Sequence, residues 1–439
     1  MIARIRKFIP SFILNRYHFF LAFLGAIFYW FPSSKIIVIG ITGTNGKSTV
    51  VELSSKILEE AGFKVASISS IRFKIGEKEW RNELKMTMPG RFKIQGFLRQ
   101  AVNTGCEYVV LEVTSEGIKQ HRHRFIDFDV AVFTNLTPEH IESHGSFKKY
   151  RKAKGELFRK IKKTLIVNLD DENTEYFLQF PADEKYGFRI KNHELRTMNY
   201  DNVKLIEVHT ITLKENSSSF MIHDLLFNLH LPGKFNVYNA LAAICVGLSQ
   251  GVNLEIIKKA IEKVEGIPGR MEIIIKEPFT AIVDYAHTPD ALRKVYKTIK
   301  ESRNCKRQES KVICILGAAG GGRDKWKRPE LGKIAAEYCD QIILTNEDPY
   351  NENPKVIINQ ISDGISVYQR THQRISASIN RILDRREAIK KSLELSKSGD
   401  IVIITGKGSE PWMMVGDKKV PWDDREIVRE EFKKLKVGD

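Results

Sequence analysis

The sequence predicts an α/β chain: a P-loop central domain with a mostly parallel sheet, followed by a C-terminal Rossmann-like α/β domain. Three observations predict it. The apolar run KIIVIGI leads into the glycine loop GTNGKST and then into a helical pattern. Apolar runs of strand length go on alternating with helical ones to the end of the chain, and a stretch broken by two glycines and a proline, EGIPGRM at 265–271, divides that alternation in two. Strand, glycine loop and helix in that order imply a doubly wound sheet, because a parallel crossover needs a helix to bring the chain back.

Residues 1–34 stand apart from this pattern. They carry Arg4, Arg6, Lys7 and Arg16, then an almost uncharged apolar run from Tyr17 to Phe31. At helical rise that run spans about 22 Å, short of the roughly 30 Å hydrocarbon core of a bilayer. No small-residue cleavage site precedes Lys35. Its aromatic residues suit an interfacial membrane anchor, and a helix packed against the following domain is the alternative.

The central domain is read as residues 35–265. It contains the KIIVIGI strand, a helix from Lys47 to Ala61 ended by Gly62, the strands YVVLEV and VAVFTNL, an antiparallel β-rich patch from about Asn202 to Leu231, and helices at 236–249 and 254–264. The C-terminal domain, 266–439, has the strands FTAIVDYA, KVICILGAA, QIILTN and DIVIITG. Helices are expected near Pro289, Pro329, Pro354, Asp384 and Asp424.

With 439 residues, 42% hydrophobic and 28% charged, the chain is long and apolar enough for two or three globular domains. The net charge of +16 admits a nucleic acid, a membrane surface or a polyanionic small substrate. No arginine-rich tract or interleaved aromatic and basic motif favours nucleic acid, so none is expected as a partner. Five cysteines, Cys106, Cys245, Cys305, Cys314 and Cys339, include no close pair and imply reduced thiols in a cytoplasmic setting.

In the loop Gly43-Thr44-Asn45-Gly46-Lys47-Ser48-Thr49 the backbone amides and helix N-terminus offer donors and positive potential to phosphates. Lys47 is placed to meet the β- and γ-phosphates, and the Ser48 or Thr49 hydroxyl to meet Mg2+. The spacing is not the common one, for Ile41 stands where the usual loop has its first glycine. A second cluster follows at strand ends, where open α/β sheets hold ligands: Glu112 after YVVLE, and Asn135, Glu139, His140, Glu142 and His144 after VAVF. Glu112 and His140 are candidates for metal ligation or its support, although magnesium ordinarily prefers carboxylate and water to imidazole.

The series GTNGKST, EVTSEGIKQHR, FTNLTPEHIESHG, YRKAKGELF, GKFNVYNALAA, GIPGRME, DYAHTPDAL, GGGRDKWKRP, EDPYNENP and GKGSEPW runs in order along the chain. It resembles the Mur ligase family, and within it the branch that adds the third amino acid to a muramoyl-dipeptide in peptidoglycan biosynthesis. The resemblance implies an ATP- and Mg2+-dependent amide ligase acting through an acyl phosphate, with a muramoyl-peptide precursor and an amino acid as substrates. It makes Lys47, Glu112, His140 and Lys154 the catalytic set, with Ser48, Thr49, Glu112, His140 and Lys154 around magnesium. Lys154 resembles the family's carbamylated lysine; from sequence alone it is an ordinary surface lysine. Asn236 and Asn239 resemble the pair beside adenine, and Arg270, Asp284, His287, Arg323, Asp324 and Lys327 the ATP contacts of the C-terminal domain. His287 reads equally as a packing histidine in a helical first turn. Thr87, Ser115, Gln120 and Arg122 resemble residues that grip the muramoyl-peptide. With ATP contacts on both domains, catalysis implies closure about the 265–271 hinge.

The departures bear on the substrates. The family's N-terminal uridine-nucleotide domain has no counterpart, and residues 1–34 stand in its place. This leaves open whether the acceptor carries UDP or a lipid, and whether the protein works free in the cytoplasm or at the inner face of the membrane. A monomer is expected. Diaminopimelate-adding enzymes show Asp-Asn-Pro-Arg where this chain has Glu347-Asp348-Pro349-Tyr350. Tyrosine cannot pair bidentately with a distal carboxylate, so Asp348, Tyr350 and Glu410 favour lysine or another diamine over diaminopimelate. Rival readings are a poly-amino-acid or folylpolyglutamate-type ligase, a nucleic-acid-dependent P-loop ATPase, and a non-catalytic membrane scaffold.

Overall fold

The computed structural model describes residues 10–84, 86–191, 200, 202–303, 310–372 and 378–437. Helix α1 (Ser11–Phe28) is followed by a short turn and by β1 (Ile37–Thr42), whose IVIGIT sequence is buried almost throughout. The glycine loop then opens α2 (Lys47–Glu60). A small meander, β2 (Val65–Ile68), β3 (Arg72–Ile75) and β4 (Lys78–Arg81), leads to α3 (Arg91–Asn103), β5 (Tyr108–Glu112), the short α4 (Ser115–Lys119) and β6 (Val130–Phe133). After these come α5 (Ile141–His144), α6 (Phe147–Phe158), β7 (Thr164–Asn168), α7 (Thr174–Leu178), β8 (Glu184–Ile190) and β9 (Lys204–Val208).

These nine strands form one sheet in the order β4-β3-β2-β5-β1-β6-β7-β8-β9. From β2 to β9 every neighbouring pair is parallel, and β3 and β4 add an antiparallel edge. One expectation is corrected here: Lys204–Val208 is a parallel edge strand of the main sheet. Only β10 (Ile211–Leu213), β11 (Ser218–Ile222) and β12 (Leu225–Leu229) form the antiparallel patch. Residues 204–208 read KLIEV, and that alternation does not distinguish a parallel edge from a hairpin strand.

Alternation along β1 shows how the layers arise. Ile39 and Ile41 join the core beneath α2, α8 (Lys234–Ser249) and α9 (Leu254–Glu262), while Val38 joins the core on the opposite face under α3 and α6. Gly40 lies on that second face, where a Cβ would come within 2.8 Å of the Phe128 ring. The sheet can therefore bury both faces with Phe128 crossing over β1.

Past the hinge the second sheet is built from β13 (Glu272–Ile275), β14 (Thr280–Asp284), β15 (Val312–Leu316), β16 (Gln341–Leu344), β17 (Ser378–Arg381) and β18 (Ile401–Thr405). Their order is β13-β14-β18-β15-β16-β17, parallel except for β13. Helices α10 (Pro289–Arg303), α11 (Lys327–Tyr338) and α12 (Pro354–His372) cover one face; α13 (Arg385–Leu395) and α14 (Asp424–Val437) cover the other. A hairpin of β19 (Trp412–Val415) and β20 (Lys418–Pro421) precedes α14. Its MMVGDKKV stretch is too short and too polar after Val415 to signal strands in the sequence.

Cys106, Cys245, Cys314 and Cys339 are buried free thiols, and Cys305 lies outside the described residues. No described helix is long and apolar enough to cross a membrane.

Candidate active site

The glycine loop lies between the C-terminal ends of β5 and β6, the strands on either side of β1, where helix N-termini and strand ends converge. Two of its positions tolerate only glycine. Gly43 and Gly46 have φ of 156° and 85°, and a Cβ on them would meet Thr134 Oγ1 at 1.9 Å and Asn239 Oδ1 at 2.2 Å. Asn239 therefore packs directly on the loop, and its Nδ2 donates to Asn236 Oδ1, 3.0 Å away. The loop is also stitched to the segment after β6: Asn45 N donates to Asn135 Oδ1, Asn135 Nδ2 donates to Asn45 O, and Thr134 Oγ1 donates to the same carbonyl.

Lys47 Nζ donates to Thr44 O at 2.8 Å and faces Glu112 Oε1 at 3.9 Å. Burial, opposed by the Glu112 carboxylate, pulls its pKa down. Ser48 Oγ donates to Glu112 Oε2 at 2.8 Å and lies 2.7 Å from Ser70 Oγ; Thr49 is buried behind it. Lys154 is not a surface lysine. It is 1% exposed, its Nζ donates to Gly43 O at 2.7 Å, and burial followed by the neighbouring Lys47 ammonium drives its pKa well below the ordinary value. Tyr150, which sequence reasoning missed, sits against this amine with its ring centroid 4.8 Å away, and its hydroxyl lies 3.1 Å from Thr44 Oγ1.

His140 adopts a left-handed conformation, φ 56°, at the start of α5, which costs a non-glycine residue about 1–2 kcal/mol. Burial and the nearby Arg323, Lys154 and Lys327 cations hold its imidazole neutral, the form that can ligate a metal.

The second half of the molecule reaches this loop. Arg270 Nη2 donates to Ser48 Oγ and Ser70 Oγ, each at 3.2 Å, while its guanidinium stacks 4.3 Å over Tyr285. Asn45 Nδ2 donates to Asp290 Oδ2 at 2.9 Å across 245 residues of chain. Lys327 Nζ meets Glu139 Oε1 at 2.9 Å with both side chains buried, and the backbone amides of Ile141 and Glu142 donate to Asp324. Asp324 and Lys327, expected to contact ATP, thus close the seam between the two halves. Asp284 accepts from the amides of Met271 and Ala286 and so anchors the hinge. His287 is half-buried, with Nδ1 2.9 Å from Tyr285 O; Arg323 is exposed on the loop before α11.

The residues expected at the acceptor form a second group. Arg122 is buried, donating to Met88 O and to Gln120 Oε1, and Arg91 Nε holds Gln120 O. Ser115 is buried at the first position of α4, and Thr87 is half-buried on the loop before α3. In the expected amino-acid pocket, Asp348 and Glu410 both accept from Lys407, a residue the sequence reading did not single out. Glu410 also accepts from Tyr285. Tyr350 has φ 52°, and its ring occupies the space a Cβ on Gly321 would fill. A charged cleft of about 380 Å3 lined by Glu52, Lys56, Arg72 and Lys263 lies beside the hinge, and no predicted site residue lines it.

A glycine loop at the end of a parallel strand, in contact with basic residues of a second α/β unit, is the arrangement of a nucleotide-binding enzyme built from two α/β units. The match to known families makes this specific. Residues 41–247 match the Mur ligase middle domain and 269–408 the Mur ligase, glutamate ligase domain. The chain is 37% identical over 419 residues to the UDP-N-acetylmuramoyl-L-alanyl-D-glutamate--2,6-diaminopimelate ligase of Syntrophomonas wolfei, covering 93% of this chain and 81% of that one. It is 35% identical over 436 residues to the UDP-N-acetylmuramyl-tripeptide synthetase of a Roseiflexus species, covering 95% and 82%.

Among solved structures, a UDP-N-acetylmuramoyl-L-alanyl-D-glutamate--2,6-diaminopimelate ligase aligns with TM-score 0.58 at 27% identity, covering 91% of this chain and 79% of that one. Folylpolyglutamate synthase of Mycobacterium tuberculosis shares the fold, with TM-score 0.67 at 15% identity over 88% and 92%. This chain belongs to the Mur ligase family, whose members are ATP-dependent, generally magnesium-dependent amide ligases.

Proposed function

We propose that this protein adds an amino acid to a muramoyl-dipeptide peptidoglycan precursor, using ATP to activate the acceptor carboxylate. The observation that carries the reading is the convergence of Lys47, Ser48 and Glu112 from the first unit with Arg270 from the segment that links it to the second. A carboxylate oxygen of the acceptor attacks the γ-phosphorus, the bond to the β-phosphate oxygen breaks, and ADP leaves. The incoming amine then attacks the acyl carbon, loses a proton, and expels inorganic phosphate. Lys47 and Arg270 supply fixed positive charge to the phosphates throughout, without reorganisation at the moment of transfer.

Ser48, Thr49 and Glu112 would supply hard oxygen donors that suit magnesium, and His140 a neutral imidazole. When bound, the ion neutralises phosphate charge during transfer. Lys154, buried and biased towards the free amine, is suited to attack carbon dioxide: its neutral nitrogen forms the new bond to carbon, one proton is released, and an uncharged amine beside the phosphate site becomes an anion. Asn236 and Asn239 would flank the adenine, and Asp284, His287, Arg323, Asp324 and Lys327 would hold the closed state. Thr87, Ser115, Gln120 and Arg122 would orient the acceptor.

For the amino acid, the Asp348 and Glu410 carboxylates beside Tyr350 are offset by the Lys407 and Arg323 cations, and the tyrosine, unable to pair bidentately with a distal carboxylate, favours lysine or another diamine. The relatives named above for diaminopimelate make that the competitor to test. Phosphate release from Mg-ATP and UDP-N-acetylmuramoyl-L-Ala-D-Glu, with lysine and with diaminopimelate added separately, tests the reading. Turnover dependent on acceptor and amino acid together is expected, faster with lysine. Release independent of the amino acid would overturn the ligase reading, and a clear diaminopimelate preference would overturn the choice of amino acid.

A further inference from the structure

Helix α1 inverts the usual rule for a surface helix. It packs through small residues, Ala22, Gly25 and Ala26, with Gly25 against the backbone of Arg91 and Phe92 in α3. Arg99 of α3 donates to the carbonyls of Tyr29 and Trp30, binding the C-terminal end of α1 to the domain. Its large side chains face outward instead. Of the twenty-five exposed large apolar residues described, eleven lie between Phe12 and Phe31, among them Phe12 at 64%, Phe28 at 67% and Trp30 at 80% exposed. Isolated exposed apolar residues are ordinary, but a continuous aromatic face marks an interaction surface.

We propose that this face docks flat on a membrane containing anionic phospholipid, with α1 lying in the headgroup region. Charge complementarity selects that occupant. No Asp or Glu occurs before Glu52, while Arg4, Arg6, Lys7, Arg16 and Lys35 are basic. Arg16 is exposed on the aromatic face, and Lys93 is exposed beside Phe92 on α3. Aromatic rings seated at headgroup level with basic residues around them are the chemistry of an interfacial helix. A second copy meeting the same face isologously would set Arg16 and its basic neighbours against their own kind with no acid to pair them. At 18 residues α1 is about 27 Å long, and it lies along the domain instead of projecting from it.

The docked geometry has a consequence for the ligase reading, on which only this last point rests. His121 Nε2 lies 2.6 Å from Asn15 Oδ1 of α1, and Phe125 stacks edge-on with Phe19. His121 sits between Gln120 and Arg122, so the acceptor-binding loop is joined to the docking helix. An acceptor carried on a lipid would be met at the bilayer surface.

The test needs no substrate, so its failure is separate from failure of the ligase assay. The full chain is floated with vesicles of phosphatidylcholine alone and of phosphatidylcholine with phosphatidylglycerol, at low and high salt. Binding to the anionic vesicles is expected, weakened by salt. Brominated lipid should quench the wild-type tryptophan emission, and Trp30→Phe should remove most of that quenching. Phe20→Glu with Phe28→Glu should lower partition by about tenfold or more while leaving the thermal melt in place. No flotation with anionic vesicles, or no quenching of the wild-type protein, overturns the proposal. So does a concentration-dependent dimer without vesicle binding that the same two substitutions abolish; that result would assign the face to a second copy.

Discussion

The seam around the glycine loop and the outer face of α1 break opposite halves of the same rule. At the seam charged side chains are buried, yet they are paired: Lys327 with Glu139, and Glu112 with Lys47 and Ser48. On α1 aromatic side chains are exposed, Phe12, Phe28 and Trp30 at 64%, 67% and 80%. Burying charge requires partners supplied from distant parts of the chain, which makes the seam sensitive to single changes. Exposing aromatic rings costs the folded chain little, so the same kind of change on α1 should alter association and spare the fold.

The largest expected effect tests the seam's chemistry. Lys47→Ala removes the ammonium at the phosphates and should lower kcat by about a thousandfold or more in a protein that still folds, as checked by far-UV circular dichroism. Wild-type turnover in this variant would remove the loop from the mechanism. Next comes Lys327→Met, which strands the buried Glu139 carboxyl; breaking such a pair costs about 3 kcal/mol, read by chemical denaturation. Adding Glu139→Leu should restore much of the loss, because the stranded charge is then gone. If the double variant is no more stable than the single, the pair is not the seam's closing contact.

A smaller effect concerns Glu347, buried beside Asp348, Lys407, Arg385 and Lys327, with its pKa pushed up to about 7 from an ordinary 4.5 by burial. The folded chain holds this proton more tightly than the unfolded one. The stability so contributed is complete below about pH 4.5 and is lost as pH rises through 7. Glu347→Gln keeps the neutral form, so its stability relative to wild type should rise by about 2–3 kcal/mol between pH 5 and pH 8. A flat difference across that range would show that the carboxyl is ionised and satisfied. The smallest effect is on α1: Phe20→Glu should change unfolding free energy by less than about 0.5 kcal/mol. A loss of several kcal/mol would make the aromatic face part of the core and erase the contrast.

What could be read in the sequence follows the same division. The loop was legible because strand, glycines and helix are contiguous, and the link between the two sheets because EGIPGRM interrupts a regular pattern. Tyr150 and Asp290 were not, since they meet the loop only through folding and carry no local signal. Lys407 was passed over because nothing in GKGSE says that its ammonium turns back on Asp348 and Glu410. For Lys154 composition pointed to the surface; the family resemblance gave it a role, and its burial carried no local signal. Residues 17–31 announced their apolar character, but which face was covered depended on α3, some seventy residues onward.

The central claim, that this seam activates a carboxylate as an acyl phosphate, is tested most directly by isotope transfer. The acceptor dipeptide precursor, labelled with 18O in its reacting carboxylate, is turned over with Mg-ATP and lysine, and the released phosphate is examined by mass. Transfer of one 18O into phosphate for each amide formed is the predicted result. Amide formation with unlabelled phosphate would contradict the account, because the carboxylate oxygen would never have met the γ-phosphorus.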